Sequence, residues 1–397
     1  MKKLIIICCW IASFLIACTE EFNGPMQGDG EVGAPVSNVM VKNTAGGAIL
    51  TFDLPKDPNL QYVLAEVPVK NGKIASYKSS AYNDRIEIIG LPDEMVRKVK
   101  LYVVSKSEKK SNPLEVDIKP LRPPYQQVFN TIAYQADFGG VNVKYDNPTG
   151  ADLAIMLETN DNGIWKPFNG YYSFLKEGNY TFRGMVAEPT KFALYIRDRW
   201  DNSSDTAYFS LTPLYEKMLD KSLFKDLTLP GDAPIYTTEW NIAKRFIWDG
   251  NWSSDFNNPY GNWLNVSTNA PNDGQPTHIT FDLGAKAKLS RFRINHYYRY
   301  IDRGMRKYEI WGRTDAPKDG SWDGWVKMIS YEQKKPSGLP GESYTAEDAE
   351  AWLRGDNGDF SSDLPPVRYI RIKCFENWVG TTNLNFAEIT FWGDDKF

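Results

Sequence analysis

Apolar and polar residues alternate with a period of two through most of the chain, in short runs broken by turn residues. Between residues 34 and 120 the runs are Val39–Val41, Ala48–Phe52, Tyr62–Glu66, Arg85–Ile89, Val99–Val104 and Leu114–Ile118. Gly46-Gly47, Asn71-Gly72, Asn83-Asp84 and Ser111-Asn112-Pro113 separate them, so each run reads as a half-buried strand ending in a tight turn. Leu121-Arg122-Pro123-Pro124 reads as a stiff extended linker, because consecutive prolines favour the polyproline conformation. The beat resumes in Gly140–Tyr145, Leu153–Leu157, Gly178–Phe182 and Phe192–Ile196. It returns most clearly in Ile279, Phe281 and Leu283, then in Phe292 and Ile294 after a turn at Gly284, then in Tyr308–Gly312, Val367–Lys373 and Glu388–Gly393. The pattern predicts an all-β chain of three consecutive β-sandwich domains, at 34–120, 121–230 and 231–397. Two helices are expected besides. One is Pro213–Phe224, with Leu214, Met218 and Leu219 at helical spacing; the other is Ala346–Leu353, with Thr345 as N-cap, Glu347 and Asp348 in the first turn and Gly355 as the stop.

The first 33 residues follow a different logic. Lys2 and Lys3 precede an apolar run, Leu4–Ile16, too short to span a bilayer comfortably. It ends in Leu15-Ile16-Ala17-Cys18, which resembles the bacterial lipobox; the resemblance implies removal of residues 1–17 and diacylation of Cys18. Thr19-Glu20-Glu21-Phe22 resembles the export signal of Bacteroidota surface lipoproteins, and residues 18–33, rich in Gly, Asp and Pro, read as a tether. Together they imply a chain held to the outer membrane by lipid, at the cell surface.

Composition narrows the chemistry. The formal charge of the 397-residue chain is −4, and it becomes −6 without the first 17 residues, which carry two Lys and no acid. Such a balance disfavours nucleic acid as a partner. Cys374 is the one cysteine beyond Cys18, so no disulfide is available to the body of the chain, and His278 and His296 alone make no zinc constellation. At the end of an alternating run, Cys374 reads as a small buried hydrophobe rather than a nucleophile. No nucleophile elbow, phosphate loop or zinc-protease motif occurs, and no βα alternation of a catalytic barrel. The expectation is a protein that is not an enzyme. Aromatic residues make up 14% of the chain, more than small sandwich cores need, so some rings belong on surfaces.

The ordered motifs Trp248-Asp249-Gly250, Phe281–Gly284, Lys307–Gly312, Trp325, Arg368–Ile372 and Ala387–Gly393 resemble the discoidin, or factor five/eight type C, family, which includes many carbohydrate-binding modules. The resemblance runs from about Trp240 to the C-terminus. Residues 35–120 resemble a fibronectin type III domain, and 121–230 a second Ig-like or fibronectin-like unit. The discoidin resemblance implies a structural Ca2+ held by Asp249 and Glu388 with backbone carbonyls, although Asn251-Trp252-Ser253 stands where the family often has Thr and then Trp. It also implies a ligand face built from the loops at one end. There Trp252 and Tyr260, Tyr298 and Arg299, and Asn377 and Trp378 lie in three loops that mix rings with amides and charge. Rings stack on pyranose faces while amides bind hydroxyls, so a glycan is the expected ligand. Arg299 and Arg303 would suit anionic sugars, and Trp263 reads as a plug for the sandwich end. The three-part layout also resembles lipoproteins of polysaccharide-utilisation systems, whose partners would include outer-membrane transporter proteins. An adhesion or protein-binding role is the alternative, with the same rings as hot spots, and a glycosidase is the remoter one.

Overall fold

The computed structural model describes residues 33–236, 242–252, 266–297 and 301–396, and these are almost wholly β. The first domain comprises β1 (Ser37–Thr44), β2 (Gly47–Asp53), β3 (Leu60–Pro68), β4 (Ile74–Ser80), β5 (Arg85–Ile88), β6 (Arg97–Ser105) and β7 (Leu114–Ile118). A three-stranded sheet, β1-β2-β5, and a four-stranded sheet, β4-β3-β6-β7, enclose a core that includes Leu50, Val63, Ile88, Val99 and Leu101. Each expected run lies in a strand. The alternation did not reveal β4, because its one large aliphatic residue, Ile74, faces solvent.

Pro123 is extended, as the linker reading requires, but Pro124 opens a short helix, α1 (Pro124–Phe129). At a first helical position the missing N–H of proline costs nothing, and burial of Tyr125 and Val128 holds the turn. The second domain contributes β8 (Ala133–Asp137), β9 (Gly140–Asp146), β10 (Leu153–Asp161), β11 (Ile164–Ser173), β12 (Glu177–Arg183), β13 (Thr190–Asp198) and β14 (Ala207–Leu211). They form a four-stranded sheet in the order β11-β10-β13-β14 and a three-stranded sheet in the order β12-β9-β8. The chain makes two compact units. One joins the first domain with residues 144–178 and 192–208, the other joins residues 134–143 and 179–191 with everything from 209 onward.

The C-terminal sandwich lies in the second unit. Its strands are β15 (Lys217–Met218), β16 (Lys225–Asp226), β17 (Val266–Ser267), β18 (Thr277–Asn295), β19 (Met305–Arg313), β20 (Val326–Glu332), β21 (Asp356–Asp359), β22 (Val367–Asn377), β23 (Asn385–Phe386) and β24 (Glu388–Asp394). The two strands expected around Gly284 are one strand of 19 residues, β18. Its first part, Thr277–Asp282, pairs with β22 and its last part, Lys288–Asn295, with β24, so the chain changes sheets at a bulge instead of turning back. Gly284 sits in that bulge at φ 76°, where a Cβ would come within 2.1 Å of the Leu223 carbonyl oxygen. Phe281, Phe292, Ile310, Ile372, Ile389 and Phe391 fill the space between the sheets.

The helix expected over Pro213–Phe224 does not form. Lys217 and Met218 pair with Gly393 and Trp392, a 3-10 turn follows at Lys221–Leu223, and Lys225 pairs with Asp282. Leu214 and Met218, two of the residues at helical spacing, are exposed, while Leu219 and Phe224 enter the core. Backbone pairing along the free edge of β24 outweighs a weak helical pattern. The segment therefore pairs with strands of the third sandwich. Glu216 fixes its start, accepting from Ser290 Oγ at 2.6 Å and from Arg183 Nη1 and Arg291 Nε at 3.1 Å each. The other expected helix is present as α2 (Ala346–Arg354), with a capping box between Thr345 and Asp348 and Gly355 beyond its end.

Candidate functional site

At one end of the C-terminal sandwich a cavity of about 260 Å³ opens between the β17 and β23 strands and the loop after β22. Local hydrogen bonding builds its walls. Asn377 shapes the loop: its Oδ1 accepts from Thr381 N at 2.8 Å and its Nδ2 donates to Thr381 Oγ1 at 2.6 Å. Gly380, at φ 79°, completes the reversal and leaves Val379 exposed beside the cavity. Asn383 Oδ1 accepts from Thr268 Oγ1 and Ala270 N, both at 2.9 Å, which ties the far end of the loop to the segment after β17. Tyr236 is fixed by its backbone N–H, which donates to Ser267 O at 2.8 Å, and its ring stays 36% exposed at the rim.

The lining residues include the aromatic Tyr236, the aliphatic Val379, Arg303 and three asparagines, Asn377, Asn383 and Asn385. No Asp or Glu is among the described lining residues. Such a lining sets polar side chains beside apolar surface, a combination suited to a hydroxylated ligand.

The expected ligand residues separate. Asn377 lines the cavity, though its amide is spent on the loop. Trp252 is 40% exposed, on the Asp-Gly loop. Trp378 is only 8% exposed and packs with Ile301 and Trp352 below the surface. Its Nε1 donates to Gln333 Oε1 at 2.6 Å, and the Lys335 ammonium stands 4.0 Å from the ring centroid. Gln333 Nε2 in turn donates to Asp356 Oδ1 at 3.0 Å, and Asp356 Oδ2 accepts from Tyr308 Oη at 2.9 Å. Burial and the adjacent Asp356 carboxylate push the Tyr308 hydroxyl well above its ordinary range. That network and the Lys335 ammonium cover most of the Trp378 surface. Tyr260, Trp263, Tyr298 and Arg299 lie outside the described residues.

Tyr236, Thr268, Asn383 and Asn385 were not foreseen as cavity residues. The run Thr381-Thr382-Asn383-Leu384-Asn385 carried a signal, since four hydroxyl or amide residues in five do not suit a core strand. Tyr236 carried none, because it lies in a segment with no periodicity.

The two carboxylates expected to share a calcium ion have different partners. Asp249 is exposed and its Oδ1 accepts from Asn251 N at 2.8 Å, a local turn. Glu388 is fully buried, takes the N–H of Gly250 at 3.2 and 3.3 Å on its two oxygens, and forms an ion pair with Lys221. Among the described residues no group of three or more His, Cys, Asp or Glu side chains is placed to hold a metal ion. Cys374 is buried, and burial pushes its thiol up to about 12, as suits an inert core position.

Three family models, each described as a domain of unknown function, match consecutive stretches: DUF4959 over residues 33–120, DUF5126 over 121–222 and DUF5000 over 248–393. No curated protein matches the chain. Among solved structures the chain is similar to a SusE-like protein, at 31% identity over 68% of this chain and 99% of that one, with a TM-score of 0.45. It is similar at 16% identity to the family 32 CBM of Clostridium perfringens NanJ in complex with galactose, over 45% of this chain and 98% of that one, TM-score 0.30. A third likeness, at 14% identity and TM-score 0.26, is to an F5/8 type C domain from Bacteroides fragilis, over 45% of this chain and 97% of that one. No helix of the described residues is long and apolar enough to cross a membrane.

Proposed function

The chain belongs to the family of SusE-like proteins, and from that premise we propose that it is a non-catalytic, glycan-binding lipoprotein of a polysaccharide-utilisation system. In this reading it is anchored to the outer membrane through Cys18 and meets its ligand at the cell surface with the C-terminal sandwich, beside outer-membrane transporter proteins. The observation that carries the proposal is the lining of the cavity. Tyr236, exposed at the rim, brings an aromatic residue to it, beside Arg303, Val379 and the amide residues Asn377, Asn383 and Asn385. At about 260 Å³ the cavity lies just below the roughly 300–1,000 Å³ of pockets that enclose drug-sized molecules, so it suits one sugar ring of a longer chain.

The test is a glycan array on the mature chain, followed by titration calorimetry with the glycans it retains. Tyr236→Ala should weaken binding by roughly tenfold or more, the equivalent of about 1–3 kcal/mol of lost apolar contact, with an unchanged melting midpoint. If Tyr236→Ala and Arg303→Ala both keep full affinity, the ligand face is elsewhere. If the wild type retains nothing on a broad array, the protein-binding alternative takes over. Release of reducing ends from a bound glycan would overturn the non-catalytic reading.

A further inference from the structure

We propose that Lys221 is a built-in cation: its ammonium takes the place a calcium ion would occupy at Glu388, and it ties the stability of the C-terminal sandwich to the preceding segment instead of to a metal. Glu388 stands at the start of β24 with no exposed surface, and a buried carboxylate is tolerated only when charge and hydrogen bonds compensate it. Both kinds of compensation are present. Lys221 Nζ meets Glu388 Oε1 and also donates to Thr390 Oγ1 at 2.7 Å, one turn of the pleat along the same strand face. The Gly250 N–H closes the other side of the carboxylate. Burial raises the affinity of Glu388 for a proton and the Lys221 charge opposes that rise.

The segment that delivers Lys221 is held on both sides. Before it, Lys217 and Met218 pair with β24, and Leu219 N donates to Phe391 O at 2.9 Å. Asp220 then caps the turn, its Oδ1 accepting from Ser222 N at 2.9 Å and Ser222 Oγ at 2.6 Å. After it, Phe224 enters the core beside Trp248 and Phe281, and Lys225 pairs with Asp282. The ammonium is therefore fixed by backbone pairing within a few residues on either side, and only 16% of its side chain is exposed.

A calcium ion does not fit the same surroundings. It needs six to eight oxygen ligands, while Glu388 is met here by an ammonium and a backbone N–H, both of which repel a cation. Gly250 adopts φ 83°, and in that conformation its N–H reaches the carboxylate. The Trp248-Asp249-Gly250 motif thus serves as a ring for the core, a local turn and an N–H donor to Glu388.

Thermal melts of the mature chain with millimolar calcium chloride and with chelator test the proposal without any variant, and the two midpoints should coincide. Lys221→Met should lower the midpoint of the unit that contains it by several degrees, because it strands a buried carboxylate. Glu388→Gln should do so as well, and the double variant should be clearly more stable than the sum of the single losses implies. A calcium-dependent rise of the wild-type midpoint that Glu388→Gln abolishes would overturn the proposal, as would additive losses in the double variant. If Lys221→Met does not fold, the wild-type melts and the Glu388→Gln melts still decide, since a resident metal predicts a calcium response in the first and none in the second.

Discussion

Trp378 separates a buried structural ring from a ligand platform, and the structure gives magnitudes for both. Truncation to alanine removes a ring that is 92% inaccessible, between Trp352, Ile301 and the Lys335 ammonium. Burial of that kind is worth about 3–5 kcal/mol for Trp→Ala. The change also strands Gln333 Oε1, which accepts the indole N–H at 2.6 Å, and an unsatisfied buried acceptor adds about 1–3 kcal/mol where water cannot reach it. Trp378→Phe isolates the second effect, because most of the ring volume stays while the N–H goes; it should cost about 1–3 kcal/mol. Urea unfolding of the mature chain, followed by tryptophan fluorescence, reads both costs as shifts of midpoint at constant slope. Trp378→Ala should lose stability by the larger amount, and any loss of glycan affinity should vanish at temperatures where the variant is still folded. Wild-type stability in Trp378→Ala together with abolished binding would refute the burial argument and restore Trp378 to the ligand face. A Trp378→Phe chain as stable as wild type would show that the bond to Gln333 adds nothing.

Two further predictions concern the paired strands β18 and β22. His278 lies 3.4 Å from Asp232 and against the Trp322 ring, and burial, with Arg371 and Lys373 nearby, pushes its imidazole down to about 4 despite the opposing Asp232 charge. Folded chain therefore binds a proton less readily than unfolded chain between about pH 6.5 and 4, so stability is complete above that window and falls as pH drops through it. The loss is at most about 3 kcal/mol, and His278→Gln should flatten the midpoint between pH 6.5 and 5; an unaltered slope refutes the assignment. Arg371 is fully buried with its guanidinium 4.5 and 4.4 Å from the Trp322 and Trp325 rings, and it donates to Thr280 Oγ1 and Ser321 O at 3.1 Å each. Lysine has neither the plane nor the fork, so Arg371→Lys should cost about 2–4 kcal/mol in the same urea assay, and a loss well under 1 kcal/mol would mean that the rings, not the cation, hold that loop.

The strands were legible because they obey one rule: a sheet with a single buried face writes a period of two into the sequence. β7 carries that period in its burial, and each half of β18 carries it in its sequence, although Thr280 and Asp282 between the apolar residues of the first half are buried too. What failed was the connection within β18. A glycine between two alternating runs signals a hairpin in most contexts, but a bulge that moves a strand from one sheet to the other uses the same residue, and only the partners, β22 and β24, distinguish them. β4 and the segment around Lys217 were hidden for a related reason. Edge pairing rests on backbone groups, which leave no mark on side-chain pattern.

The candidate site shows the limit of composition more sharply. Rings among short polar residues singled out the loop after β22, whose Asn377 lines the cavity, but composition does not say which side of the loop a ring takes. That choice is made by partners far away in sequence: Gln333 draws the Trp378 indole inward, and Ser267 holds Tyr236 at the rim. The same argument applies to Glu388. Its motif resembled a metal ligand, and the residue that changes its meaning, Lys221, stands 167 positions earlier in a segment whose pattern suggested a helix. A buried carboxylate is thus readable from sequence as a demand for positive charge, whereas the source of that charge, metal or lysine, is fixed only when backbone pairing brings a distant segment to its side.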